Sequence, residues 1–204
     1  YLNANIDGNQ TYEVYGNIGE VEYLSFGIKE NRYSKDGTMV SLGEIDIKDM
    51  IVDDSGSFIL HIGCTTDSKN FLPLPKNANM LIVRQTYTNR VSQIHAKVNI
   101  KTTSSPATPE LLTSAKLETQ LNQSLAFVSG TASTFLKWVH EFKENHKNKL
   151  PLGDQSFFQA AGGDPKICYL HGYYEFDENE FLEITTDIPD CEYWNFQLEN
   201  YWME

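Results

Sequence analysis

The chain has 204 residues and a formal net charge of -12, from 28 Asp plus Glu against 16 Lys plus Arg. That balance argues against nucleic acid as a partner, because sequence-independent binding there needs Lys and Arg to displace counterions from phosphates. Nor does any run approach the roughly 20 apolar residues of a transmembrane helix. With 40% hydrophobic, 12% aromatic and 22% charged residues, the composition is that of a folded chain.

One domain over residues 1–204 is expected at this length. The chain begins at Tyr1 and not at Met, as an excerpt of a longer protein would. Thr11–Tyr15 and Glu20–Ile28 carry β-branched and aromatic residues at period two and predict strands, with Gly16–Gly19 as a hairpin turn between them. Leu24, Phe26 and Ile28 share one strand face, which is expected to meet the core. Asp53–Ser57 predicts a turn into a strand at Phe58–Ile62. Met80–Val83 is apolar on both faces, as a central strand is, and ends in Arg84-Gln85. Ile94–Ile100 alternates again.

The period then changes. Thr108-Pro109-Glu110 is a helix opening: a hydroxyl N-cap, Pro at the first helical position and an acid in the first turn. Leu117, Leu121, Leu125 and Val128 follow at helical spacing. Ser129-Gly130-Thr131 is a stop and restart, and Phe135, Trp138, Val139 and Phe142 continue the stripe. Two helices packed on the sheets are expected over about 108–148. After the Gly162–Pro165 turn, Ile167–Phe176, Phe181–Thr186 and Tyr193–Leu198 are further strand candidates. The fold class predicted is mainly β, α+β by content: an antiparallel, jelly-roll-like β-sandwich with an inserted helical pair.

Charge is polarised along the chain. Residues 164–204 hold eleven acids and one base, Lys166, whereas residues 67–149 hold eleven bases and five acids. Acids that keep strand edges soluble explain this, and so does a docking surface for a basic partner. Cys64, Cys168 and Cys191 form no CxxC pair. Buried free thiols are expected, and a reducing, cytoplasmic setting is favoured.

In an extended 167–176, Tyr169, His171, Tyr173 and Glu175 project from one face. Tyr193, Asn195, Gln197 and Glu199 share a face of the last strand. Two such strands could line a pocket for a small molecule, with His171 and Glu175 as acid/base candidates, or they could simply face solvent. Arg84 closes an apolar strand and suits either an anionic ligand or an ion pair. The five histidines (His61, His95, His140, His146 and His171) show no HxH or HExxH spacing, so no metal site is assigned; no cofactor and no nucleophile elbow are identified either.

Several segments in order, Tyr12–Gly16 with Gly19, Tyr23–Phe26, Asp54–Phe58, Leu81–Gln85, Tyr169–Tyr174 and Tyr193–Leu198 with Asn200–Glu204, resemble the C-terminal module of the bacterial domain-of-unknown-function family 1214. The resemblance covers nearly the whole chain. It implies a β-sandwich core with inserted helices, further sequence before Tyr1, and in some members a companion domain of unknown function, numbered 1254. It brings no established activity. Arg84, Gln85, Trp194, Asn195 and Gln197 match the family's motif positions. Two functions are therefore expected: a small-molecule binding or processing domain using Arg84, Gln85, Tyr169, His171, Glu175, Asn195 and Gln197, or a non-catalytic module that packs against an N-terminal domain absent from this chain.

Overall fold

A computed structural model describes residues 1–63, 67–104 and 111–203. Eight strands come first: β1 (Leu2–Asn5), β2 (Tyr12–Asn17), β3 (Tyr23–Asn31), β4 (Met39–Asp46), β5 (Ser57–Ile62), β6 (Phe71–Leu72), β7 (Met80–Thr86) and β8 (Lys97–Thr102). Two helices follow, α1 (Ser114–Asn145) and α2 (Gln155–Ala160). The strands form two four-stranded sheets, ordered β1-β7-β3-β4 and β6-β5-β2-β8, antiparallel except for the short parallel pair β5–β6. The chain is mainly β with an inserted helix.

Both sheets turn one face to a single apolar core. Leu24, Phe26 and Ile28 of β3 and Leu81 and Val83 of β7 meet Val14 of β2 and Phe58, Leu60 and Ile62 of β5 there. The rings of Phe26 and Phe58 lie 5.4 Å apart at a tilt, the offset geometry aromatic quadrupoles favour. β7 is central, flanked by β1 and β3, as its two-sided apolar run predicts. The Asp53–Ser57 turn also forms as expected: the Asp53 carboxylate accepts the main-chain N–H groups of Ser55 (2.8 Å) and Ser57 (2.9 Å), and Gly56 supplies a φ of 80°.

Five expectations are corrected. Gly16–Gly19 is no hairpin turn, because β2 and β3 lie in different sheets; the segment carries the chain across, with Asn17 Nδ2 donating to the Ser55 carbonyl (2.7 Å). The helical pair is one continuous 32-residue helix. Its start is capped by Thr113, whose hydroxyl accepts Lys116 N–H (3.2 Å), while the predicted opening at Thr108-Pro109-Glu110 lies outside the described residues. Gly130 does not stop it. A Cβ there would overlap the Tyr33 carbonyl, so the glycine permits a close approach at the roughly 1 kcal/mol it costs a helix. Nor is the α1 stripe packed on the sheets: Leu117, Leu121, Leu125 and Val128 are exposed, and Phe142 is the one buried side chain of the helix.

The fourth correction concerns the C-terminal strand candidates. Among the described residues, none of Ile167–Phe176, Phe181–Thr186 and Tyr193–Leu198 is a strand; one isolated bridge joins Tyr173 to Lys147. Alternation describes what a pleated segment would present on each face, but a strand also needs a neighbour for its N–H and C=O groups. Here those groups go elsewhere: Asn148 N–H donates to the Tyr173 carbonyl (2.7 Å), and the Asn148 side chain bonds both main-chain groups of Glu175 (2.9 Å each). Cys168 and Cys191 are exposed rather than buried, and Cys64 lies outside the described residues.

Candidate functional site

The second face of the β1-β7-β3-β4 sheet is buried too, and it is ionic. Period-two alternation puts Tyr23, Ser25, Gly27 and Lys29 on the side of β3 opposite Leu24, Phe26 and Ile28. Register places Ser25 between Arg84 of β7 and Asp46 of β4, and Gly27 beside Glu44 of β4. Lacking a side chain, Gly27 leaves room for the Glu44 carboxyl group; a Cβ would stand 2.8 Å from the Glu44 carboxyl carbon. Lys29, at 0% exposure, donates to Glu44, and Ser41 Oγ adds a second hydrogen bond to it at 2.9 Å.

A strap of residues 154–169 closes this face. Asp154 caps α2 by accepting Ser156 N–H (2.9 Å), Phe158 is buried, and Gly162 turns the chain at a φ of 104°. Arg84 Nη2 donates to the Gly162 carbonyl (2.6 Å), and Tyr33 OH donates to the Ala161 carbonyl (2.5 Å). The turn brings in Asp164, 0% exposed. Its Oδ2 accepts Tyr23 OH (3.0 Å) and Ser25 Oγ (3.3 Å) and stands 3.5 Å from Arg84 Nη1; its Oδ1 accepts Lys166 N–H (2.9 Å). Arg84 Nη1 is also 3.6 Å from Glu44 Oε2. At the rim Lys166 reaches Asp49 (2.8 Å) and Asp46 (4.0 Å).

Two cations, Lys29 and Arg84, and three carboxylates, Glu44, Asp46 and Asp164, thus share one buried layer, with the Lys166 ammonium at its rim. Balance matters because an ion stripped of water must be repaid by partners close at hand. Burial pulls the Lys29 ammonium below its ordinary value, opposed by the Glu44 carboxylate, and burial pushes the Tyr23 phenol well up. The arrangement can hold a carboxylate by charge and hydroxyl donors. Among the described residues no group of three or more His, Cys, Asp or Glu side chains could hold a metal ion.

The predicted site residues fall in separate surroundings. Arg84 is central to the ionic layer. Tyr169 lies beside it, its hydroxyl accepting Asp164 N–H (3.1 Å) and its main chain exchanging hydrogen bonds with the Gln155 amide (2.8 and 2.9 Å). His171 sits in an aromatic cluster: its ring is parallel to that of Phe142 at 5.4 Å and lies 4.7 Å from Phe158 and 6.4 Å from Trp138. Burial lowers its imidazole below the usual value. Gln85 is engaged elsewhere, its amide oxygen accepting Tyr87 OH (2.6 Å) and Ala96 N–H (3.1 Å). Glu175 is exposed and paired with Lys147, which holds its carboxyl low. Asn195 and Gln197 form an exposed ladder, Gln197 Nε2 to Asn195 Oδ1 (3.1 Å) and Asn195 Nδ2 to Tyr193 OH (3.1 Å). The contacts join Arg84, Tyr169 and His171 in sequence through shared neighbours; they place Gln85, Glu175, Asn195 and Gln197 in other company.

Reading the sequence by face missed Lys29, Glu44, Asp164, Tyr23 and Ser25. A signal existed: Lys29 continues a strand whose other face is wholly apolar, and Glu44 and Asp46 interrupt β4 at period two. Asp164, 139 residues from Ser25 along the chain, had none.

No protein-family profile matches the chain, and no curated protein does. Among solved structures, the crystal structure of an uncharacterised protein from Burkholderia cenocepacia is similar, at 32% identity and a TM-score of 0.79 over 86% of this chain. The chain spans about half that protein's length, 48% of it.

Proposed function

We propose that this chain is a non-catalytic packing module: a jelly-roll-like β-sandwich that presents an uncharged helix face and an acidic, aromatic C-terminal segment to protein lying N-terminal to it in a longer chain. The observation that carries this reading is the exposed apolar surface. A folded monomer of 23.3 kDa is expected to expose about 9,700 Å², whereas this chain exposes 13784 Å². The excess includes Leu121 (57%), Leu125 (69%), Val128 (65%), Phe181 (81%) and Leu198 (68%).

Sequence chemistry agrees. From Thr119 to Leu136 the helix contains no charged residue, whereas a helix face meant for water is normally rich in them. In proteins most helical stability comes from packing of an apolar face against other structure. The similar solved protein is about twice as long, leaving room for a covering domain in a protein of that kind. The resemblance to family 1214 points the same way. The competing reading, a small-molecule pocket, draws on an open groove of about 420 Å³ lined by Asn148, Phe176, Asn179, Glu180, Phe181 and Leu182, next to Glu175.

Photo-crosslinking decides between them. A photoreactive residue at position 121 or 125 in the whole gene product should capture polypeptide preceding Tyr1. Capture confined to residues 1–204, or no capture with saturable small-molecule binding in the groove, contradicts the packing role.

A further inference from the structure

We propose that Arg84, Tyr23 and Ser25, with Lys29 and Glu44 beside them, form a binding site for a small carboxylate, and that the strap closes it by inserting the Asp164 side chain as a resident stand-in. The site is built: Arg84 is 4% exposed, Lys29 and Asp164 0% and Ser25 1%. Among the described residues, the donors that meet Asp164 Oδ2 come from the sheet, from Tyr23, Ser25 and Arg84.

Asp164 is an imperfect occupant. Its other oxygen is tied to its own turn through Lys166 N–H, and Oδ2 stops 3.5 Å from Arg84 Nη1, beyond the roughly 2.7–2.9 Å of a charge-assisted hydrogen bond. Arg84 Nη1 and Glu44 Oε2 make no hydrogen bond among the described residues. A carboxylate free of the strap's main chain could approach the guanidinium more closely, in the forked geometry that Arg favours. Charge selects the class of ligand. Removing Asp164 takes one negative charge from the layer, which a monoanion restores and a phosphate dianion overshoots. The lid is correspondingly small: α2 is six residues long, and of its side chains only Phe158 is buried.

Acetate is the probe. In Asp164→Ala of the full chain, sodium acetate should raise the thermal midpoint by about 3 °C or more at ten times its half-saturating concentration, beyond sodium chloride at equal ionic strength. Adding Arg84→Met should remove that difference. Asp164→Asn, which keeps the turn and loses the charge, serves if the alanine variant does not fold. In the wild-type chain, acetate should speed hydrogen exchange across residues 155–169 and leave β2 and β5 unchanged. Equal responses to acetate and chloride, or an acetate response that survives Arg84→Met, overturns the site. Unchanged exchange in the strap overturns the displacement.

Discussion

β3 is buried on both faces, and the two faces are held by different physics. Leu24, Phe26 and Ile28 look into hydrocarbon, where each contact is non-directional and a partner of similar volume will serve. Ser25 and Lys29 look into charge, where each group needs a partner of the right sign at the right distance. One face follows from local periodicity. The other is completed only when a turn more than a hundred residues downstream delivers Asp164. The first face gives the fold its stability; the second fixes where the strap lies.

The contrast can be broken from either side. Phe26→Ala should cost about 3–5 kcal/mol, read from denaturant unfolding, through lost burial and the cavity left beside Phe58. Asp164→Ala should cost about 3–4 kcal/mol by removing one of the two carboxylates at Arg84 and the acceptor of Tyr23 and Ser25, even though almost no apolar contact is lost. On this account Lys29→Met costs more alone than with Glu44→Leu, because removing both ions leaves nothing unpaired. If the single and double variants cost the same, the layer is not acting as a charge-balanced unit. Gly27→Ala should cost about 1–3 kcal/mol by pushing on the Glu44 carboxylate.

A smaller effect comes from His171. Its folded-state pKa is lowered by burial, so below about pH 6.5 the unfolded chain binds the proton more readily. Stability should therefore fall as pH drops from about 6.5 through the folded value, and His171→Phe should flatten that part of the midpoint–pH curve. A slope unchanged in the variant means that the aromatic cluster tolerates the charge. Leu121→Glu should change stability by less than about 0.5 kcal/mol in the isolated chain, since the side chain is exposed there.

How much was legible follows from the same contrast. The strands before Thr102 could be placed because alternation and turn chemistry are local: Phe26 and Leu60 announce their face, and Asp53 and Gly56 announce their turn. Sheet membership was not local, so Gly16–Gly19 was expected to join two strands that in fact belong to different sheets. The stripe of α1 was real, but period says which face is apolar and not what covers it. Tyr193–Leu198 alternates faithfully and still has no strand partner among the described residues. For the site, Arg84 stood out as a cation ending an apolar strand. Glu44 was marked only by its period-two spacing with Asp46, and Asp164 not at all, because a carboxylate in an acidic chain carries no mark of burial.

The most direct test of the packing role is amide hydrogen exchange on the isolated chain and on the whole gene product, side by side. In the isolated chain, β3 should be protected while residues 115–128 and 176–202 exchange quickly. In the whole product β3 should be unchanged and both of those segments slowed at least tenfold. Equally fast exchange of the two segments in both samples contradicts the packing role.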